Sequence, residues 1–311
     1  MIHSLNHIGL IVPSLEIGRA FYECAGLETR MSEGHLVCRC EGRDQDQVRL
    51  IQGPKKRLAY VSFGTPKGGL AELRARLEAA DVELHDAPFA VPFDGIWFKD
   101  PDGDWINVQE ADDVPSTLPA PVEVNSPQRY RRLGVRACDA TSSQKRTRPR
   151  RLGHLIKFSP DVDRAVRFYT DVLGLLISDR ALDIIAFMRS PFGGDHHMLG
   201  IAKSSHTGLH HMSFEVSDID EIEMGAQHLL ASGYRDGYGL GRHGAGSNYF
   251  HYIRDPWNSM IEYFWDIDVI PEGADWTPMG STENEVRAVL EAVWSGMPAP
   301  KEFIMNFEEP D

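Results

Sequence analysis

Cysteine is scarce. The 311-residue chain holds only Cys24, Cys38, Cys40 and Cys138, none at CxxC spacing. A disulfide framework is therefore not expected, and Cys38 and Cys40, two apart on one strand face, read as packing thiols. Long apolar runs are missing too, for none reaches the ~18 residues of a membrane span. No basic segment precedes the short apolar stretch after Met1, so no secretory leader is expected. These absences describe a reduced, cytoplasmic protein with no membrane partner. Positive charge is in deficit, with 32 Lys and Arg against 46 Asp and Glu and a formal net charge of −14. Such a surface repels phosphate backbones, so no nucleic-acid partner is expected. What remains is ordinary globular material, 42% hydrophobic and 25% charged. That excludes global disorder and suits two domains or one large one.

The chain repeats itself. Asn6-His7-Ile8-Gly9-Leu10-Ile11, then Phe21-Tyr22 and Gly26-Leu27, is echoed by Gly153-His154-Leu155-Ile156-Lys157-Phe158, then Phe168-Tyr169 and Gly174-Leu175. Tyr60-Val61-Ser62-Phe63 matches His211-Met212-Ser213-Phe214, and Lys99-Asp100-Pro101 matches Arg254-Asp255-Pro256. Landmarks in one order at slowly growing offsets mark two copies of one module. The copies span 1–112 and 150–268. Residues 113–149 form a linker, and 269–311 a partly helical appendage.

Each copy reads as strand, helix and several strands, then the same again. Ser14 can cap a helix carrying Ile17, Ala20, Phe21 and Cys24. Ser159, with Pro160 at the first helical position, opens its counterpart, which Gly174 ends. Thr65-Pro66 and Ser217 open two more, the last carrying Ile219, Ile222, Ala226, Leu229 and Leu230. The fold class is α+β, with four βαβββ units in two pairs, each pair a cupped mixed sheet around a pocket. Residues 129–151 hold nine Arg or Lys and one acid, Asp139, and read as a solvated segment pairing with the acidic bodies or a neighbouring subunit. Thr282-x-x-Glu285 resembles a capping box for a helix ending near Ser295-Gly296. The last ten residues combine acids with Phe303, Ile304, Met305 and Phe307, and are expected to fold over a site or pack on another subunit.

Nine of 13 histidines lie between 154 and 251. Comparing the copies sets His154, His211 and Glu262 against His7, Tyr60 and Asn107. Tyrosine and asparagine do not replace imidazole and carboxylate as ligands for a divalent transition metal. The second module can thus hold a metal, and the first is expected to be metal-free. Two imidazoles and one carboxylate leave one side of an ion open, a set that suits non-haem Fe(II) oxygen chemistry. Mn(II) satisfies the same residue types, and Zn(II) lacks the redox chemistry.

Five segments together resemble the type I extradiol ring-cleavage dioxygenases of the vicinal oxygen chelate superfamily: GHLIKF (153–158), HHMLGIA (196–202), LHHMSFEV (209–216), GRHG (241–244) and YIRDPWNSMIEYF (252–264). The resemblance covers roughly residues 4–268. It implies tandem vicinal-oxygen-chelate modules, with His154, His211 and Glu262 as iron ligands. It places His197 as the acid–base histidine and gives His243 and Tyr252 hydrogen-bonding roles toward the substrate. The implied reaction inserts both atoms of O2 into an aromatic ring beside a vicinal diol, with a catechol-type substrate, O2 and a homo-oligomer as partners. Where the family often has a polar pair after the GRH segment, this chain has Gly244-Ala245-Gly246. Glyoxalase-like isomerases, thiol transferases and small-molecule-binding proteins share the superfamily. A whole triad in one module, accompanied by His197, His243 and Tyr252, favours ring cleavage over those.

Adjacent histidines need separating. Strand alternation places His210 and His211 on opposite faces, and the resemblance favours His211 as the ligand. His196 and His197 pose the same question, with His197 favoured for the proton. His251 is expected to point away from Tyr252, His206 to lie in a loop and His228 to be structural. Arg189 reads as a salt-bridging residue.

Overall fold

The computed structural model describes residues 1–121, 123–136 and 146–310; Cys138, Asp139 and part of the basic stretch lie outside them. The first half runs β1 (Ser4–Val12), α1 (Leu15–Cys24), β2 (Glu28–Ser32), β3 (His35–Arg39), β4 (Val48–Gln52), β5 (Arg57–Thr65), α2 (Gly69–Ala79), β6 (Leu84–His85), β7 (Ile96–Lys99) and β8 (Trp105–Glu110). The second half runs β9 (Arg151–Ser159), α3 (Val162–Arg167), β10 (Leu176–Ala181), β11 (Ile185–Arg189), β12 (Gly193–Asp195), β13 (Leu199–Lys203), β14 (Gly208–Glu215), α4 (Ile219–Ala231), β15 (Asp236–His243), β16 (Tyr249–Arg254) and β17 (Met260–Trp265). Beyond it come β18 (Val269–Pro271), α5 (Glu283–Leu290) and β19 (Ala292–Ser295).

The first sheet has the order β2-β3-β4-β1-β5-β8-β7-β6, and the second β10-β11-β13-β9-β14-β17-β16-β15-β19. Strand for strand the two orders correspond, β1 with β9 and β5 with β14, until β19 is added at the far edge. In both, a central antiparallel pair joins two βαβββ units (β1 with β5, β9 with β14), and each central strand has a parallel neighbour on its other side. The α+β architecture of two curled mixed sheets agrees with the expectation. The central strands β1 and β9 are buried along nearly their whole length, polar residues included.

Helix starts differ from the sequence reading by a few residues. Ser14 does cap α1, accepting from Ile17 N, but Ile17 itself is half exposed while Gly18, Phe21 and Tyr22 are buried. Asp161, not Ser159, caps α3; Ser159 Oγ accepts instead from Asp161 N at 3.1 Å. Gly68 rather than Thr65-Pro66 precedes α2, because Thr65 is still in β5. Asp218 rather than Ser217 caps α4, with Ser217 bonded back to the Glu221 carboxylate. Asp, Ser and Thr all cap well, so composition alone does not choose among neighbours. The α3 helix continues through a π-type turn at Phe168–Val172, and the chain leaves it through Gly174 at φ +81°. The capping box at Thr282 and Glu285 is present. Its helix ends at Leu290, not near Ser295, since Ala292–Ser295 pair with β15 instead.

The halves share one apolar core and one buried polar knot. Lys157 of β9, with no exposed side-chain surface, reaches Asp100 and lies 2.5 Å from Asp104 and 3.8 Å from Asp102. Tyr169 donates to Asp100 at 2.9 Å, and Thr207 to Asp104. Burial works against the Lys157 charge, but the three carboxylates outweigh it and hold the ammonium well above its ordinary pKa. The basic stretch pairs with acids as expected, Arg146 with Glu41 at 2.8 Å and Arg151 with both Asp195 and Glu215 at 2.7 Å.

The chain's last described segment crosses both halves. Buried Glu308 pairs with Lys56 and accepts from Leu58 N at 3.0 Å and Leu209 N at 2.9 Å. This anchor holds the 3-10 turn Lys301–Ile304 against the second sheet. Among the described residues no helix is long and apolar enough to cross a membrane.

Candidate metal centre

Neighbouring strands β9, β14 and β17 carry His154, His211 and Glu262. All three are buried, and their ligand atoms lie within 4.8 Å of one another. His154 Nε2 is 3.0 Å and His211 Nε2 3.4 Å from Glu262 Oε2. Burial pushes the Glu262 carboxyl up, but His154, His243 and His211 outweigh it and hold it well below the usual carboxylate range. Ser213 also donates to Glu262 Oε2, and Asn248 Nδ2 donates to Oε1 at 3.1 Å.

The hydrogen bonds fix the state of His211. The Phe303 carbonyl lies 2.7 Å from His210 Nε2 and can only accept, so that nitrogen carries the proton. Burial lowers His210 to about 4, so the ring is neutral near pH 7 and its Nδ1 is an acceptor. His211 Nδ1, at 2.6 Å, must donate to it. Burial and neighbouring imidazoles push His211 well below its ordinary value as well, which leaves Nε2 a bare lone pair. That atom is buried without a hydrogen-bond partner, as is His154 Nδ1. A lone pair facing a carboxylate oxygen at 3.4 Å repels it unless a cation lies between. The donor set therefore fits a divalent transition metal.

This geometry corrects the alternation argument. His210 and His211 do not face opposite ways, because the register with β9 jumps between Leu209 and His211. A bulge there turns both rings to one face, with centroids 4.8 Å apart. His196 and His197 lie between β12 and β13 and touch through Nδ1 atoms 3.0 Å apart. His196 Nε2 is 2.8 Å from Asp179 Oδ2, whose other oxygen accepts from Met279 N. One proton is shared across that Nδ1 pair, and where His197 donates it, the His197 Nε2 lone pair is left free. Burial and the His154 and His196 rings lower His197 well below its ordinary pKa. Its ring centroid lies 4.3 Å from that of His154.

His243, ending β15, and Tyr252 of β16 approach through Nε2 and OH at 2.8 Å. Burial and the Glu262 charge hold the Tyr252 hydroxyl well above its ordinary pKa, so it stays protonated. His154, His197, His211, His243 and Tyr252 line one cavity of about 210 Å³. Ile156, Ile185, Phe187, Val289, Phe303 and Ile304 form its apolar walls. The appendage thus supplies part of the site, through α5 and the 3-10 turn. His206 lies in a loop, 2.5 Å from the Glu308 carbonyl, and His228 is exposed on α4. His251 turns to Glu223 and Asp236. Arg189 donates to Ile177 O and Ser178, and among the described residues it forms no ion pair with an acid. Sequence reasoning missed Asn248 and Asp179, for neither stands in a spacing that marks it.

Four buried histidines with depressed pKa make stability acid-sensitive. His7 is lowered to about 3 and His210 to about 4 by burial, and His197 and His211 fall well below 6.5. Below pH ~6.5 the unfolded chain binds protons that these native rings exclude, so stability present above that pH is lost as pH falls. Asp100 and Asp255, raised by burial, oppose this but are outnumbered. The expected loss is about 1.4 kcal/mol per pH unit per ring, read as a falling urea midpoint of metal-depleted protein between pH 7 and 5. A flat midpoint would sink the assignment of neutral native rings.

Comparison with known proteins agrees with this architecture. Residues 151–263 match the model of the Glyoxalase/Bleomycin resistance protein/Dioxygenase superfamily. "Metapyrocatechase 2" of Cupriavidus necator is 39% identical over 99% of this chain and 93% of its own length. "Biphenyl-2,3-diol 1,2-dioxygenase" of Paraburkholderia xenovorans (strain LB400) is 25% identical over 85% of this chain and 88% of its own. A Mn(II)-bound glyoxalase from Novosphingobium aromaticivorans superposes with a TM-score of 0.74 at 23% identity, covering 96% of this chain and 95% of that one; that likeness shows the fold alone. The chain belongs to the Glyoxalase/Bleomycin resistance protein/Dioxygenase superfamily. Within it the chain is an enzyme of the extradiol dioxygenase group, an oxidoreductase.

Proposed function

We propose that this chain opens the ring of a catechol-type vicinal diol with O2, outside the diol, at one Fe(II) held by His154, His211 and Glu262. The observation that carries the reading is the bare, buried His211 Nε2 facing Glu262 Oε2, beside a cavity that also admits His197, His243 and Tyr252. When bound, Fe(II) supplies the electron exchange between diol and O2 and acidifies a coordinated hydroxyl. Mn(II) is satisfied by the same donor types.

The protein's part is orientation and proton handling. Asn248 and Ser213 fix the Glu262 carboxylate. The His197 Nε2 lone pair accepts a diol proton and later returns one to the departing oxygen. Tyr252 and His243 hold hydrogen bonds to oxygen atoms as charge moves onto them. Apolar walls exclude water and suit a ring with apolar substituents, with Lys203 the one cation in the lining among the described residues.

We assign no metal to the first half. There Ser62 donates to Asn107 Oδ1 at 2.8 Å, and Tyr60 sits among Phe89, Phe93 and Trp97. Tyr60→Phe and Asn107→Ala are expected to leave bound iron per chain unchanged, by metal analysis of the purified variants. A halved or lost iron content would move the site to the wrong half. The function itself is tested by oxygen uptake of anaerobically Fe(II)-loaded protein against a panel of catechols. Uptake of O2 matched by yellow ring-opened product is expected, and no consumption with any catechol would end the proposal.

A further inference from the structure

The first half forms its own cup, with a cavity of about 440 Å³. Its chemistry differs from that of the second. Strand β4 sets Arg49 opposite Gly9 of β1, whereas the matching strands β13 and β9 set Gly200 opposite Ile156. An arginine thus stands where the metal-binding half has a glycine. Arg49 is only 3% exposed, yet lines the cavity. Its Nη1 donates to Ser32 O at 3.2 Å and lies 3.4 Å from His35 Nδ1. The Tyr60 hydroxyl also lies against the guanidinium, and among the described residues Arg49 forms no ion pair with a carboxylate.

The acids nearby do not neutralise it. Asp46 lines the cavity but is held by Arg30 at 2.6 Å and Arg39 at 2.9 Å. Asp112 is exposed at the rim. His7 is neutral near pH 7, lowered to about 3 by burial and by Arg49 itself. A buried cation with no counter-charge is costly, and an anion entering the cavity removes that cost. A guanidinium presents paired N–H donors that match both oxygens of a carboxylate. Part of the lining is polar, with Asn6, Gln45 and Gln109, and part is an apolar wall of Val48, Pro92, Val114 and Phe93, whose ring centroid is 5.8 Å from the guanidinium carbon.

We propose that the cup of the first half binds a small organic carboxylate with an apolar body, gripped by the Arg49 guanidinium and flanked by Phe93 and Val114. The division of labour is then a fixed cation in one cup and an exchangeable one in the other.

The probe is 4-fluorobenzoate, followed by 19F NMR on the metal-loaded, full-length protein. A bound resonance is expected that weakens at least tenfold in affinity in Arg49→Met and is partly retained in Arg49→Lys. Val114→Trp fills the cavity without touching the guanidinium, and should abolish the same resonance while oxygen uptake is unchanged. It keeps the test open if Arg49→Met folds poorly. Absence of a bound resonance overturns the proposal, as does one that survives both Arg49→Met and Val114→Trp. Displacement by inorganic phosphate as effective as by unlabelled benzoate also overturns it, since the apolar wall would then contribute nothing.

Discussion

Replacing His197 by Phe is expected to slow turnover by roughly 10²–10⁴-fold while iron stays bound. Phe keeps the ring's bulk against Phe187, 4.7 Å away by centroid, so the cavity wall survives. What disappears is the Nε2 lone pair. None of the three proposed metal donors is altered, so metal content and catechol binding should persist. The loss should therefore appear in kcat under saturating diol and oxygen. The chain behind His197 makes a second comparison informative. Asp179→Leu removes the acceptor that fixes the His196 tautomer, and should slow turnover less than loss of His197 itself, since the imidazole remains. Full turnover in His197→Phe would remove His197 from the chemistry and shift the proton step to His243 or Tyr252.

Lys157→Met is expected to destabilise the protein by about 3–5 kcal/mol, the range seen when one partner of a buried ion pair is removed. The methionine fits the channel, but Asp100, Asp102 and Asp104 lose the ammonium that all three face. Asp100 has no exposed side-chain surface. Denaturant midpoints measure the effect. A double variant with Asp100→Asn should recover part of the loss, because one orphaned charge is gone. Lysine in a strand reads in the sequence as a solvent-facing residue, and a change within ±0.5 kcal/mol would mean that it behaves as one here.

Much of the architecture was legible because the chain states it twice. The paired landmarks around His7 and His154, Tyr60 and His211, and Lys99 and Arg254 lie on corresponding strands of two sheets with corresponding orders. His154, His211 and Glu262 could be named from contrast between the copies, and the fold brings them together. What stayed hidden depends on departures from regular geometry. The bulge beside His210 reverses the expected facing of that ring, and alternation arguments cannot detect one extra residue. Asn248 reaches Glu262 from the end of the Gly244-Ala245-Gly246 turn, whose glycines advertised only a bend. Asp179 is one acid among many until β10 carries it under His196. The knot around Lys157 was invisible for a similar reason: Lys and Asp look alike in sequence whether solvated or buried.

The carbonyl of Phe303 has a reach that its place near the chain end belies. It fixes the proton on His210, and through that ring the lone pair that His211 presents. Proteolytic trimming behind Pro300 would therefore do more than widen the substrate cavity. It would free His211 to protonate the wrong nitrogen and shorten the residence time of a bound metal. Preparations nicked there should lose metal on dialysis faster than intact ones.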